Sequence, residues 1–126
     1  MAIRGIDHIN IGTNRLAETR AFFCDVLGLT EGWRPDFAFG GAWLYAGDAA
    51  VVHLVELSEA KAPSSDAALD HFAFRIDDYD EVVLRLEAAG VPFRAIEVPN
   101  APIRQIFIRD LNGVNIELNY RETVSA

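Results

Sequence analysis

The chain has 126 residues, the length of one compact domain with a real hydrophobic core. Its net charge of −8 argues against broad electrostatic binding to nucleic acid or to anionic membranes. The single cysteine, Cys24, excludes an intramolecular disulfide framework and is typical of a reducing compartment. No apolar run approaches the roughly 20 residues of a membrane helix, and residues 1–5 lack signal-peptide architecture, so we expect a cytoplasmic protein.

The chain opens with a predicted strand and helix. Residues 5–11 alternate as a strand does, and the apolar residues over 16–27 recur on one helical stripe. Thr13 or Asn14 is the expected N-cap. Gly28 follows the last apolar residue and suits the left-handed conformation that ends a helix.

Three further strands are predicted in the first half of the chain. The turn-prone stretch over 30–41 contains three glycines and a proline, and we expect a short strand near 37–39. Residues 42–45 and 50–57 predict two more strands, joined by a hairpin turn at Gly47-Asp48. The first half therefore reads as strand, helix and three strands.

The second half repeats this order after a linker-like stretch over 59–68. The predicted elements are a strand over 70–76, a helix capped by Asp77 or Asp78 and ended by Gly90, and strands over 93–98, 103–109 and 114–120.

This repetition is also visible residue by residue. His71 follows His8 by 63 positions, Glu117 follows His53 by 64, and the two helix-ending glycines are 62 apart. A near-constant offset at three landmarks indicates an internal repeat. We therefore predict an α+β fold of two βαβββ modules, over about 1–58 and 69–122.

All three histidines of the chain and one glutamate occupy repeat-related strand positions. His8 and His71 lie on the opening strand of each module, and His53 and Glu117 lie on the closing strand. If each sheet forms half a cup, the four side chains can point to one centre, and their types suit Zn²⁺, Ni²⁺, Co²⁺, Fe²⁺ or Mn²⁺. The alternative is that they are ordinary hydrogen-bonded strand residues. Four ligand-type residues at equivalent positions favour one divalent metal ion.

Four segments, 7–11, 22–29, 70–74 and 107–118, resemble motifs of the vicinal oxygen chelate superfamily. That superfamily includes glyoxalase I, fosfomycin-resistance enzymes, extradiol dioxygenases and bleomycin-binding proteins. The resemblance implies a single domain over 1–126, in which the cupped mixed sheets of two βαβββ modules hold a divalent metal. Its metal positions correspond to His8, His53, His71 and Glu117.

The resemblance implies a metal-dependent, glyoxalase-like lyase or isomerase. Such an enzyme would chelate a small carbonyl or hydroxy-carbonyl substrate and stabilise an enolate, with Glu117 as the catalytic base and His53 as the alternative. Glutathione-dependent glyoxalase I is not expected, because the positions of its glutathione-binding Arg and Asn hold Gly12 and Leu57 here.

Two other functions stay open. His8, His71 and Glu117 match the 2-His-1-carboxylate set of non-haem iron dioxygenases. A small-molecule-binding or antibiotic-binding resistance protein without turnover is the third possibility. In each case the expected partner is a small molecule, and a homodimer is expected because glyoxalase-like proteins of this length usually form one.

Residues two positions from a ligand share its strand face, and the family pattern adds inward residues on the penultimate strand. Two arginines are candidates for holding a carboxylate. The predicted pocket comprises Asn10, Val51, Val55, Gln105, Phe107, Asn119, Arg34 and Arg104.

Overall fold

The computed structural model of the protein describes residues 2–122. The chain divides between Lys61 and Ala62 into two compact units. Each unit has the order strand, helix, three strands, and each contains one four-stranded mixed sheet. The predicted α+β class and the two βαβββ modules are therefore confirmed.

The first unit has its strands in the order β1-β4-β3-β2, with β1 parallel to β4 and the other neighbours antiparallel. Its elements are β1 (Ile9–Thr13), α1 (Leu16–Ala21) continued by a π-helical turn (Phe22–Val26), β2 (Thr30–Gly32), β3 (Gly41–Ala46) and β4 (Ala49–Glu56).

Strand alternation builds the core of the first unit on one face of this sheet. Val52 and Leu54 on β4 and Leu44 on β3 are fully buried, as is Phe23 in the helical segment. The opposite face carries His53, because neighbouring residues on a strand point to opposite sides. The helix thus covers one face and leaves the histidine face to the site.

The second unit has its strands in the equivalent order β5-β8-β7-β6, with β5 parallel to β8. Its elements are a 3-10 turn (Ser64–Asp66), β5 (His71–Ile76), α2 (Tyr79–Ala88), β6 (Arg94–Glu97), β7 (Ile103–Arg109) and β8 (Asn115–Arg121).

The core of the second unit is formed by alternate residues of β7 and β8 and by the buried face of α2. Ile106, Ile116, Leu118 and Leu86 are at most 2% exposed. Glu117 lies between two of these residues and therefore points to the opposite face. No helix within residues 2–122 is long and apolar enough to cross a membrane.

The helix ends follow the predicted signals. Gly28 and Gly90 have φ of 84° and 69°, the left-handed region expected of residues that end helices. Asp78 caps α2 and its Oδ1 accepts a hydrogen bond from the backbone N–H of Glu81 across 3.1 Å. The first helix differs from the prediction, since its N-cap is Arg15, which makes no side-chain capping bond.

Two strands of the first unit differ from the prediction in their positions. The short strand near 37–39 was wrong, because the strand lies at Thr30–Gly32, where it pairs with Trp43–Tyr45 of β3. The opening strand begins at Ile9, so His8 directly precedes the strand. Phe37 and Phe39 instead stack on each other with ring centroids 4.9 Å apart, an aromatic contact that strand periodicity does not reveal.

Candidate metal centre

The second unit brings two of the four predicted metal ligands together. His71 begins β5 and Glu117 lies on the neighbouring strand β8. The Nε2 atom of His71 is 3.7 Å from Oε1 of Glu117, and Glu117 is only 8% exposed. This distance is too long for a hydrogen bond. Two bonds of about 2.1 Å, as histidine and carboxylate ligands make to Zn²⁺, can span up to about 4.2 Å, so one ion fits between the two atoms.

An aspartate holds the other ring nitrogen of His71. Nδ1 of His71 donates a hydrogen bond to Oδ2 of Asp70 across 2.9 Å. Because the carboxylate can only accept, the proton is on Nδ1 and the lone pair is on Nε2. Carboxylate-held histidines of this kind are the usual second shell of metal sites, where they fix the tautomer and raise the basicity of the ligand.

The first unit repeats this arrangement at His8. Nδ1 of His8 donates to Oδ2 of Asp7 across 2.7 Å, which again leaves Nε2 with its lone pair. His8 is partly exposed, with 37% of its side chain accessible. The Asp–His dipeptide occurs in both repeats, and that recurrence was the sequence signal for a second shell that residue types alone did not predict.

His53 lies in a stack of three rings. Its imidazole is between the ring of His8, with centroids 3.7 Å apart, and the indole of Trp43, with centroids 3.9 Å apart. Nε2 of His53 donates to the backbone carbonyl of Ala50 across 3.1 Å, which places the lone pair on Nδ1. Burial, and secondarily the neighbouring His8, lower the pKa of His53, so the ring is neutral at neutral pH.

The two histidines of the first unit do not converge on one point. Their rings are nearly parallel, with an angle of 13° between the planes. A metal ion lies in the plane of the imidazole that binds it, and parallel stacked rings share no such point. Within residues 2–122, no group of three or more His, Cys, Asp or Glu side chains is close enough to hold one ion. The donor types fit a divalent metal, whereas joint ligation by His8 and His53 requires one ring to turn.

The register of the first sheet shows where the predicted pocket residues Asn10, Val51 and Val55 lie relative to His53. Asn10 on β1 and Trp43 on β3 both pair directly with His53 on β4. The side chains of Asn10, Trp43 and His53 therefore lie on the same face of the sheet. Val55 shares this face by alternation. Val51 lies where the pairing of β3 with β4 shifts register.

Arg34 has a structural role in the loop before β3. Its Nη2 donates to the carbonyl of Phe39 across 2.7 Å, and its guanidinium lies 5.0 Å from the ring of Phe37. These contacts hold the loop and occupy one of the guanidinium nitrogens that a carboxylate would need. Carboxylate binding by Arg34 stays a prediction.

The second sheet places Phe107 and Gln105 on the face of Glu117. Phe107 pairs directly with Glu117, and Gln105 pairs with Asn119 two residues further along β8. Oδ1 of Asn119 is buried and, among the described residues, accepts no hydrogen bond. A buried acceptor without a partner is costly unless a ligand or water satisfies it, which is consistent with the predicted pocket role of Asn119.

Arg104 lies on the opposite face of the sheet from Glu117, away from the predicted pocket. It pairs with Tyr120 and its guanidinium lies 3.6 Å from the ring centroid of Tyr79 at the start of α2. Strand alternation puts Arg104 on the helix side because Gln105 is on the Glu117 side. Two other arginines, Arg94 and Arg109, line a cavity beside His71. Arg109 is two residues from Phe107, so the same alternation could have found it.

Comparison with known proteins identifies the family. The sequence profile of the Glyoxalase/Bleomycin resistance protein/Dioxygenase superfamily matches residues 5–118. The chain belongs to this superfamily. The match covers both modules, including His8, His53, His71 and Glu117.

Relatives of this superfamily member agree in length and in fold. The uncharacterized protein YaeR of Escherichia coli K12 is 30% identical over 132 residues, which cover 94% of this chain and 97% of YaeR. A glyoxalase family protein of Bacillus anthracis superposes with a TM-score of 0.82 at 24% identity, over 97% of this chain and 98% of its own.

A third similar structure contains a metal ion. A variant of the fosfomycin resistance protein FosX of Listeria monocytogenes, in complex with Mn(II) and 1S,2S-dihydroxypropylphosphonic acid, has a TM-score of 0.74 at 20% identity. The match covers 95% of this chain and 94% of that protein. At this identity the likeness shows the shared fold.

Proposed function

We propose that this superfamily member is a divalent-metal-dependent lyase or isomerase of the glyoxalase-like type, acting without glutathione on a small carbonyl or hydroxy-carbonyl compound. The observation that carries the proposal is the pair formed by His71 and Glu117. Nε2 of His71, with its proton confined to Nδ1 by Asp70, faces a buried carboxylate oxygen 3.7 Å away. A lone pair and a carboxylate oxygen at that separation would supply two of the four proposed metal ligands.

His8, His53, His71 and Glu117 are the proposed ligands of one Zn, Ni, Co, Fe or Mn ion. A bound divalent ion would act as a Lewis acid toward neighbouring substrate oxygens. The Mn(II) in the similarly folded Listeria protein supports a metal in this fold. That the two pairs of residues hold the same ion is part of the proposal.

Glu117 is the proposed catalytic base. Glu117 is 8% exposed, and it pairs across the strands with Phe107 and Ala73, which cannot donate side-chain hydrogen bonds. Glu117 would remove a proton from the carbon next to the substrate carbonyl and return it to the neighbouring carbon or to the product.

His53 is the alternative base. Its lowered pKa keeps the ring neutral, and its Nδ1 carries the lone pair because Nε2 donates to Ala50. The ring stacking with His8 and Trp43 restricts its reorientation. His53 would therefore act on a proton only where a substrate reaches the edge of this stack.

A second candidate function is ligand binding without turnover. The rings of Trp43, His53 and His8 are stacked, so the nitrogens of the two histidines do not converge on one point. Trp33 packs edge-on against Trp43, with ring centroids 5.8 Å apart. Such aromatic surfaces favour planar organic ligands. A binding protein would retain its ligand stoichiometrically and leave it unchanged.

We further propose a homodimer in the cytoplasm. The single Cys24 is compatible with a reducing compartment. The dimer is proposed because glyoxalase-like proteins of this length usually form one.

Proton exchange in D2O tests the proposed reaction. The metal-loaded protein would be incubated with hydroxyacetone, dihydroxyacetone and glycolaldehyde, and deuterium uptake next to the carbonyl followed by NMR. We expect faster uptake for at least one compound and a loss of about 10²–10⁴-fold in Glu117→Gln. Glu87→Gln, an exposed change on α2, is the matched control and should retain the native rate. Native protein that binds these compounds without accelerating exchange would favour the binding function.

A further inference from the structure

We propose that the second unit contains a subsite for the anionic end, carboxylate or phosphate, of a small ligand. The subsite is a cavity of about 330 Å³ lined by Asp70, His71, Arg94, Phe107, Arg109 and Asn115. That volume is at the lower end of the usual range of ligand pockets, about 300–1,000 Å³. The cavity therefore suits a small molecule and includes His71, one of the proposed metal ligands.

Arg109 is oriented by a neighbouring side chain that leaves its terminal nitrogens available. Its Nε donates to Oδ1 of Asn115 across 3.1 Å, and Nδ2 of Asn115 lies 3.5 Å from Oδ1 of Asp70. A guanidinium held through Nε presents both Nη atoms as a fork. Such a fork matches the two oxygens of a carboxylate or phosphate.

Arg94 provides the second cation. Its guanidinium carbon lies 4.8 Å from the ring centroid of Phe107, a cation–π contact that holds the side chain over the sheet. Within residues 2–122, no carboxylate oxygen lies within 4 Å of a nitrogen of either Arg94 or Arg109. Both charges are therefore available to a ligand.

The strand register aligns each arginine with a proposed metal ligand. One row across the sheet runs from Arg109 through Asn115 to His71. The next runs from Arg94 through Phe107 to Glu117.

Each row spans two strand spacings, so the Cα atoms at its ends are about 10 Å apart. The arginine side chains extend into that interval. A ligand whose anionic group and reacting carbon are only a few bonds apart would reach both ends of a row.

The charge of the cavity favours an anion. Asp70 is the one carboxylate in its lining, and its oxygens are engaged by His71 and Asn115. The lining also contains the two guanidinium groups of Arg94 and Arg109. A free oxyanion is therefore attracted, and a cationic ligand is not.

The equivalent part of the first unit lacks these cations. By the repeat offset of 64, Arg109 corresponds to Tyr45 and Asn115 to Val51. Arg94 pairs with Phe107 on the neighbouring strand and corresponds to Gly32, which pairs with Trp43. The hydroxyl of Tyr45 donates to the carbonyl of Trp33 across 2.6 Å. The arginine pair thus distinguishes the second module from the first.

The subsite deepens the proposed function, on which its role in substrate binding rests, by naming a substrate class: small carbonyl compounds that carry a carboxylate or phosphate. The test is an NMR titration of the ¹⁵N-labelled protein with inorganic phosphate, glycolate and neutral hydroxyacetone, at low ionic strength. Each titration is repeated after chelator treatment, which separates binding by the arginines from binding to a metal ion. The first two probes distinguish phosphate from carboxylate as the preferred anion.

We expect phosphate or glycolate to shift the amide signals of Arg94, Arg109 and Asn115, with or without chelator. Arg94→Gln and Arg109→Gln should each raise the Kd of the anion about ten-fold or more, because each removes charge-assisted hydrogen bonds. Arg109→Lys should give an intermediate Kd, since it retains the charge and loses the fork. Arg85→Gln, at an exposed position on α2, should leave the Kd unchanged.

Anion binding that is unchanged in both glutamine variants, or that produces shifts only outside the cavity, would overturn the subsite. Anion binding that is lost in those variants supports the subsite even if the native protein fails the proton-exchange test. In that case the proposed reaction is wrong, and the proposed class of anionic ligands is retained. Proton exchange with the uncharged compounds, together with no anion binding in the titration, would keep the reaction and remove the subsite.

Discussion

Asp70 accepts a hydrogen bond from Nδ1 of His71 across 2.9 Å, and Asp7 holds His8 in the same way across 2.7 Å. Both contacts join consecutive residues at the start of equivalent strands. Each fixes the imidazole tautomer that leaves Nε2 as an electron-pair donor. The internal repeat therefore contains the same carboxylate–histidine contact in both units, as expected of the second shell of the proposed metal site.

Replacing Asp70 by Asn should weaken metal binding while leaving the ligands in place. The amide can direct its NH₂ toward Nδ1, which favours the tautomer with its proton on Nε2 and reduces ligand basicity. Loss of a second-shell carboxylate costs about 10–100-fold in metal affinity. Competition with a chromophoric chelator measures this affinity.

Asp77→Asn is the control for that variant, since Asp77 is exposed and precedes α2. It should bind metal as the native protein does. Equal affinity in Asp70→Asn and Asp77→Asn would show that the Asp70–His71 contact does not support a metal site.

Asp110 should be important for the stability of the second unit. Asp110 is 4% exposed, and its side chain accepts hydrogen bonds from the backbone N–H groups of Asn112 and Val114, across 2.8 and 2.9 Å. Asp110→Ala leaves both partly buried donors without these partners, which should lower the free energy of unfolding by about 1–3 kcal/mol. Urea unfolding followed by circular dichroism measures the change.

The corresponding hairpin of the first unit provides the comparison. Asp48 lies in the turn between β3 and β4 and is exposed. Asp48→Ala should change the free energy of unfolding by at most about 0.5 kcal/mol. Equal effects of the two substitutions would contradict the assigned role of Asp110.

Cys24 should react slowly as a nucleophile. Burial, and secondarily the carboxylates of Glu31 and Asp25, raise the pKa of its thiol. The midpoint of the pH profile of iodoacetamide alkylation should therefore lie higher in the native protein than in urea. Restricted access alone would lower the maximal rate and leave the midpoint in place, so equal midpoints would contradict the raised pKa.

The same shift predicts the sign of a stability change. The folded protein holds the thiol proton more tightly than the unfolded chain, whose cysteine titrates near about 8.5. The contribution of Cys24 to stability is thus fully present below that pH and is lost as the pH rises through the folded pKa. Cys24→Ser should reduce the alkaline loss of stability in urea unfolding at pH 8 to 11.

The fold was predictable because the repeat and the local signals agree. Gly28 and Gly90 adopt the left-handed conformation that their positions predict, and Asp78 caps α2 as its place before the helix indicates. The strand near 37–39 could not be placed correctly, because Phe37 and Phe39 owe their positions to ring stacking and to Arg34. Such contacts have no periodicity in the sequence.

The candidate site was predictable in its residue types more than in its geometry. Strand alternation places Gln105 and Phe107 on the Glu117 face, as expected. The same rule excludes Arg104 and includes Arg109. The stacking of His8 on His53 could not be inferred, since ring orientation depends on side-chain packing that residue spacing does not specify.

We propose that His8, His53, His71 and Glu117 hold a divalent metal ion, and elemental mass spectrometry of the purified native protein measures that ion. We predict about one Zn, Ni, Co, Fe or Mn ion per chain. His53→Ala and His71→Ala, one in each unit, should both lose most of that metal, and Glu87→Gln should retain it. Protein that stays metal-free after reconstitution with each of these ions, or that keeps its full metal content in both alanine variants, would contradict the claim.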